Sequence, residues 1–174
     1  MRPPKREDPS AFEIESFDSY YSRWPKELTN IPEDVVRHWI YYHNGFFWEG
    51  GIIYEIDRWS FDLKVFSNEK IMEIAHYPSE IERMDYNGET LMKKGMPGYD
   101  TAEYMLQHGT FPCPIIVAYN AGAHKHAKSI GTETMLEPYH LVEGHRRLGF
   151  ARGMIRHNYK HLKREHKVWL VTIT

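Results

Sequence analysis

Between Pro138 and Thr174 the chain reads as strand, bend, helix and strand, a unit that cannot bury its apolar side without a sheet and further helices around it. Tyr139-His140-Leu141-Val142 has the character of a short strand, and Glu143-Gly144 breaks it. A helix is expected from His145 to about Arg164, and a second strand from Val168 to Ile173. Along that helix Leu148, Ala151, Ile155, Tyr159 and Leu162 recur at the spacing of a face laid on a sheet. Gly149 and Gly153, one turn apart, are expected to bring the helix backbone close to the sheet. Arg146, Arg152, Arg156, Lys160 and Lys163 occupy the other side. The fold class implied is α+β, a small mixed sheet with packed helices.

The front of this helix is where chemistry is expected. A glycine bend followed by His145, Arg146 and Arg147 places unpaired backbone N–H groups and two guanidinium groups near one point. A helix N-terminus favours negative charge by roughly 0.3–1 kcal/mol, and a charge-assisted hydrogen bond adds about 1.5–3 kcal/mol. Gly144, His145, Arg146 and Arg147 are therefore the candidate phosphate-binding residues. The plain alternative is that both arginines are solvated or paired with the chain's own acids.

The order strand, E-G-H-R-R-L-G-F-A, helix, strand resembles the N-terminal domain of the ParB chromosome-partition proteins, whose turn carries G-E-R-R. Upstream, Tyr99-Asp100-Thr101-Ala102-Glu103-Tyr104-Met105-Leu106-Gln107-His108-Gly109 and then Pro112-Cys113-Pro114-Ile115-Ile116-Val117 resemble that family's helix, H-G and Q-P-I-V-V segment. The resemblance runs from about Pro97 to Ile173. It is similar also to sulfiredoxin, whose turn reads G-C-H-R. Gly144 stands where sulfiredoxin has its reactive cysteine, which excludes that chemistry, and His145 stands where ParB has glutamate. The resemblance implies a ParB/sulfiredoxin-like fold that binds a nucleotide, CTP or ATP with Mg2+. On that reading Glu143 helps place the magnesium ion, and His145, with an ordinary pKa near 6.5, is the candidate acid or base.

With 174 residues and 41% hydrophobic content, the chain is long enough for one full core. Residues 1–57 are expected to form an aromatic-rich helical extension and 58–174 the ParB-like domain, the whole one compact unit. Net charge is −2, but from His140 to Lys167 eight Lys/Arg face two acids. That stretch is +6 and the remainder −8: either a basic face for phosphate or a basic helix docked on an acidic body. A single cysteine, Cys113, rules out an internal disulfide and is expected to be a buried structural thiol. No signal peptide or long apolar run is evident, so a cytoplasmic protein with no membrane association is expected.

The first residues, to Pro9, read as a loose leader. Phe12, Ile14, Phe17, Tyr20, Tyr21 and Trp24 suggest a helix stopped by Pro25. A second helix opens at Pro32, with Val35, Val36, Trp39, Ile40 and His43 as its buried face and Asn44-Gly45 as its stop. An aromatic turn, Gly45 to Gly51, and a short strand, Ile52 to Ile56, follow. Trp59, Phe61, Leu63 and Val65 alternate with polar residues, as in a strand buried on one face. A short helix is expected from Asn68 to Ala75. Tyr77-Pro78, Asn87-Gly88 and Met96-Pro97-Gly98 read as turns. Asp100 and Glu103 suggest a capping box for a helix ended by Gly109, and Ile115 to Ala118 a buried strand.

No metal site is expected. His38 and His43 are five apart, off one helical face, and His124-x-His126 has no third ligand at ligand spacing. Those two lie in a segment, Ala121 to Glu137, expected to be an exposed, mobile loop able to fold over Gly144 as a lid. Two functions of different kind follow: a nucleotide-binding domain acting as a switch or weak phosphohydrolase, or an inactive protein-binding module, such as a bacterial immunity protein or antitoxin facing a toxin. Direct nucleic-acid binding ranks below both, because no recognition helix or stacking platform is present.

Overall fold

The computed structural model of the chain describes residues 2–8, 13–45, 56–126 and 132–174. The chain divides into two compact units, residues 1–61 with 173–174, and residues 62–172. It is an α+β protein: six helices and a four-stranded mixed sheet among the described residues.

In the first unit, α1 (Phe17–Ser22) starts at Ser16, whose Oγ accepts from the Ser19 N–H. It is shorter than the aromatic pattern implies; Ile14 is exposed and Phe12 lies outside the described residues. Helix α2 (Glu33–Val35) opens after Pro32 and continues as a π-helical stretch, Val36–Tyr41. Val35, Val36, Trp39 and Ile40 are buried as expected, whereas His43 is exposed beyond the helix end. The aromatic core is built ring on ring: Tyr20 and Tyr41 lie 5.5 Å apart, and Trp39 stacks on Trp59 at 5.9 Å. Residues 2–8 are not loose. The Arg6 N–H donates to Asn44 Oδ1, its guanidinium pairs with Asp8, and the Glu7 N–H donates to the buried carboxylate of Glu15. Of the expected strand Ile52 to Ile56, residues 52–55, like most of the aromatic turn before it, lie outside the described residues, and Ile56 opens a 3-10 turn.

The sheet consists of β1 (Trp59–Ser67), β2 (Ile115–Tyr119), β3 (Tyr139–Glu143) and β4 (Glu165–Ile173), in the order β1-β4-β2-β3, and all of it but Trp59, Ser60, Phe61 and Ile173 belongs to the second unit. Strand β2 runs antiparallel to β3, with Val117 opposite Leu141, and parallel to β4, with Ile115 opposite Val168. The helices are α3 (Asn68–Met72), α4 (Pro78–Lys94), α5 (Asp100–His108) and α6 (His145–Arg156). Ile115, Val117, Leu141 and Val168 meet Met84, Leu91, Met105, Leu148, Phe150 and Met154 in one core.

Three expectations change here. Asn87-Gly88 is not a turn; α4 runs through it for 17 residues, opened by Pro78 in its first turn and closed by Lys93 and Lys94. The glycine is there for contact. A Cβ at Gly88 would lie 2.3 Å from the Gly149 carbonyl oxygen, and one at Gly153 would lie 2.6 Å from Gly88 backbone atoms. Gly149 and Gly153 therefore seat α6 against α4 rather than against the sheet. Second, α6 ends at Arg156; Asn158, at φ 50°, turns the chain, and Tyr159 and Leu162 reach the core from the following loop. Third, β1 is not buried along one side: residues 62–65 are all exposed, Leu63 by 46% and Val65 by 57%.

The basic residues of α6 dock partly on an acidic helix. Arg152, itself buried, grips Asp85 of α4 through Nε to Oδ1 (2.6 Å) and Nη2 to Oδ2 (3.2 Å), and Arg156 Nη2 reaches the same Oδ2 at 2.6 Å. Helix α5 ends at Gly109 in the left-handed conformation as expected, but Glu103 reaches back to the Gly98 N–H rather than to Asp100. Among the described residues no helix is long and apolar enough to cross a membrane.

Candidate metal centre

The β3–α6 joint is fixed by Gly144, at φ 105°, where a Cβ would lie 2.5 Å from the Ile115 side chain. Only glycine fits this bend, and it delivers His145 as the first residue of α6. The residues singled out at the bend then go separate ways. Arg146 is exposed, stacks over the Tyr99 ring at 5.0 Å and donates from Nη1 to the Tyr99 hydroxyl at 2.8 Å. Arg147 turns inward, and its Nη1 donates to the carbonyl oxygens of Cys113 (2.9 Å) and Pro114 (3.2 Å) and to the Cys113 sulfur. Its Nη2 stands 3.7 Å from Glu143 Oε1. The two guanidinium groups thus have different partners, and Cys113 is half-buried as the one that orients Arg147.

His145 instead joins three other histidines. Its Nε2 lies 3.1 Å from His76 Nε2, and the His76 ring lies 4.7 Å from that of His126 and 4.6 Å from that of His140. His76, His126 and His145 each offer a ligand atom, and these atoms all lie within 4.8 Å of one another. His76 is held because Ala75 pairs with β3: its N–H donates to Tyr139 and its carbonyl accepts from the Leu141 N–H. His126 comes from the segment after β2. Its neighbours Ala123 and Lys125 are exposed, as expected of that segment, but His126 itself is buried, and its Nε2 donates to the Val142 carbonyl at 3.2 Å. That hydrogen bond puts the proton on Nε2, and a ring N–H held by a backbone carbonyl is the outer-shell arrangement metal-binding histidines commonly use.

His140 supplies an independent sign that something polar belongs here. It is fully buried, its Nδ1 accepts from the Leu136 N–H, and its Nε2 has no hydrogen-bond partner among the described residues. Burial, with His126 nearby, pushes its pKa down to about 3, so the ring is neutral and Nε2 carries a proton. A buried donor left without an acceptor costs about 1–3 kcal/mol unless a ligand oxygen or water satisfies it. On the outer side, Glu80, in the first turn of α4 and ion-paired with Arg83, places Oε2 3.9 Å from His145 Nε2.

Tetrahedral zinc, with Zn–N of about 2.0–2.1 Å, needs ligand nitrogens about 3.3 Å apart. The His76–His145 pair already meets that, and His126 must close in. The Tyr77 N–H donates to His76 Nδ1 at 2.7 Å, so the proton of that ring sits on Nε2, facing His145. For both Nε2 atoms to ligate, the His76 proton must move to Nδ1, giving up the Tyr77 hydrogen bond; protons also compete with the ion for the ring lone pairs, so binding weakens in acid.

The sequence pointed to His145 at this turn and weighed His126 only with His124; it missed His76 and His140. The usable signal was β3 itself, since period-2 alternation puts His140 on the side opposite Tyr139 and Leu141. His76 had no local signal, because its proximity depends on the Ala75 bridge. Comparisons of the chain with protein families, curated proteins and solved structures give no match.

Proposed function

We propose that His76, His126 and His145 hold a divalent transition-metal ion of the zinc class, and that the protein carries out metal-assisted hydrolysis there. The observation that carries this reading is the convergence of three imidazoles from three separate chain segments, with ligand atoms within 4.8 Å. Structural zinc sites close with four protein ligands, whereas three-histidine sites keep a position open. A bound zinc ion lowers the pKa of water at that position toward about 7. His140, neutral and holding a proton on Nε2, is the donor for an oxygen at the site. The Glu80 carboxylate, on the less buried side of His145, is the group placed to take a proton.

Calorimetric titration with Zn2+ near neutral pH tests the proposal. One ion per chain is expected, with affinity at least about tenfold weaker in His126→Ala and weakened again on acidification. No saturable binding at one equivalent, or equal affinity in the variant, rejects it.

The exposed guanidinium of Arg146 over Tyr99, one residue from His145, favours a second reading in which the ligand is a nucleotide such as CTP or ATP with Mg2+. Titration with each nucleotide, repeated in Arg146→Ala, separates the two. Heat lost in that variant but kept in His126→Ala selects the nucleotide without the metal.

A further inference from the structure

Among the described residues strand β1 is an outer strand of the sheet, and its middle carries Phe61-Asp62-Leu63-Lys64-Val65, of which residues 62–65 are exposed. Asp62 and Lys64 share one side of the strand, Lys64 Nζ lying 3.8 Å from Asp62 Oδ2, and Leu63 and Val65 project from the other. An outer strand is usually kept apart from others by charge. These charges are of opposite sign two residues apart, and that pattern is its own complement when the strand is reversed.

We infer that β1 pairs antiparallel with β1 of a second copy of this chain, about a two-fold axis at Leu63. In that register Asp62 faces Lys64 of the second copy and Lys64 faces its Asp62, so one side carries four alternating charges. On the other side Leu63 faces Leu63, and Phe61 and Val65 face each other twice. A one-residue slip on either side destroys both matches, and a strand of another protein has no reason to carry them. The contact is isologous, as a closed dimer requires, and the two sheets join into one of eight strands. Five residues a side bury less than the roughly 1,200 Å² of a standard stable interface, so association is reversible and depends on concentration.

Sedimentation velocity over a concentration series tests this on the full chain. The parent protein is expected to shift from monomer to dimer. Asp62→Lys alone sets four lysines side by side, and Lys64→Asp alone four acids; each is expected to abolish the dimer. An equimolar mixture of the two variants restores both pairings and is expected to form a heterodimer, which also shows that neither variant is misfolded. A parent monomeric throughout, a dimer indifferent to the single changes, or a mixture that stays monomeric overturns the inference; the last two outcomes place any contact elsewhere or with another protein.

Discussion

Gly88 and Gly153 meet backbone to backbone, so neither can give way to a methyl group. Gly153→Ala is expected to destabilise the fold by about 1–3 kcal/mol, read as a lower urea midpoint, because the added carbon would lie 2.6 Å from Gly88 main-chain atoms. A variant as stable as the parent would mean the helices do not touch there. Asp85 is the other residue on which this helix pair depends. Burial alone would raise its pKa, but hydrogen bonds and charge from Arg152 and Arg156 outweigh it and hold the carboxyl below its usual range. Asp85→Asn leaves the Arg152 guanidinium buried without a counter-charge, at a cost of about 3 kcal/mol, the low end for a buried pair because Asp85 is partly exposed. The same urea titration checks it, and a loss under about 0.5 kcal/mol, the range of an ordinary surface pair, contradicts it.

At the scale of elements, the joint between β3 and α6 links stability to the site. Gly144→Ala puts a side chain at φ 105° and into Ile115, and is expected to cost about 1–3 kcal/mol while moving His145 away from His76. Unfolding and Zn2+ titration should therefore both register the change; stability lost with affinity intact would separate the bend from the site. This joint was legible in the sequence because every signal in it is local: a strand of period 2, a glycine, a helix of period 3.6. Helix α4 was not, since Asn87-Gly88 reads as a turn unless Gly149 and Gly153 are known to lie against it. Strand β1 shows the reverse failure. Its apolar alternation predicted a buried side, but alternation reports only that one side is apolar, not that anything covers it. The histidines fall between these cases, as His145 lay in a readable motif while His76 and His126 reach it across 69 and 19 residues of chain.

For the whole molecule the buried histidines set a direction for acid sensitivity. His140, at about 3, is held low by burial and by His126, and His166, at about 4, by burial and by Lys163. Both are neutral in the fold and take up a proton when it opens below about pH 6.5. Their contribution is thus fully present above about pH 6.5 and is lost as pH falls toward their folded values, each by up to about 1.4 kcal/mol per pH unit. Asp85 acts in the same sense at lower pH. The melting temperature should fall steadily between about pH 7 and pH 5; a flat profile would mean these rings are not buried as described. The central claim, a three-imidazole metal centre with one open position, is tested most directly by adding Co2+ to chelator-treated protein and recording the visible spectrum. The intense bands of four-coordinate cobalt, saturating at one equivalent, shifted by azide and absent in His126→Ala and His76→Ala, are the predicted result. The pale spectrum of the hydrated ion, or bands that survive in either variant, would contradict it.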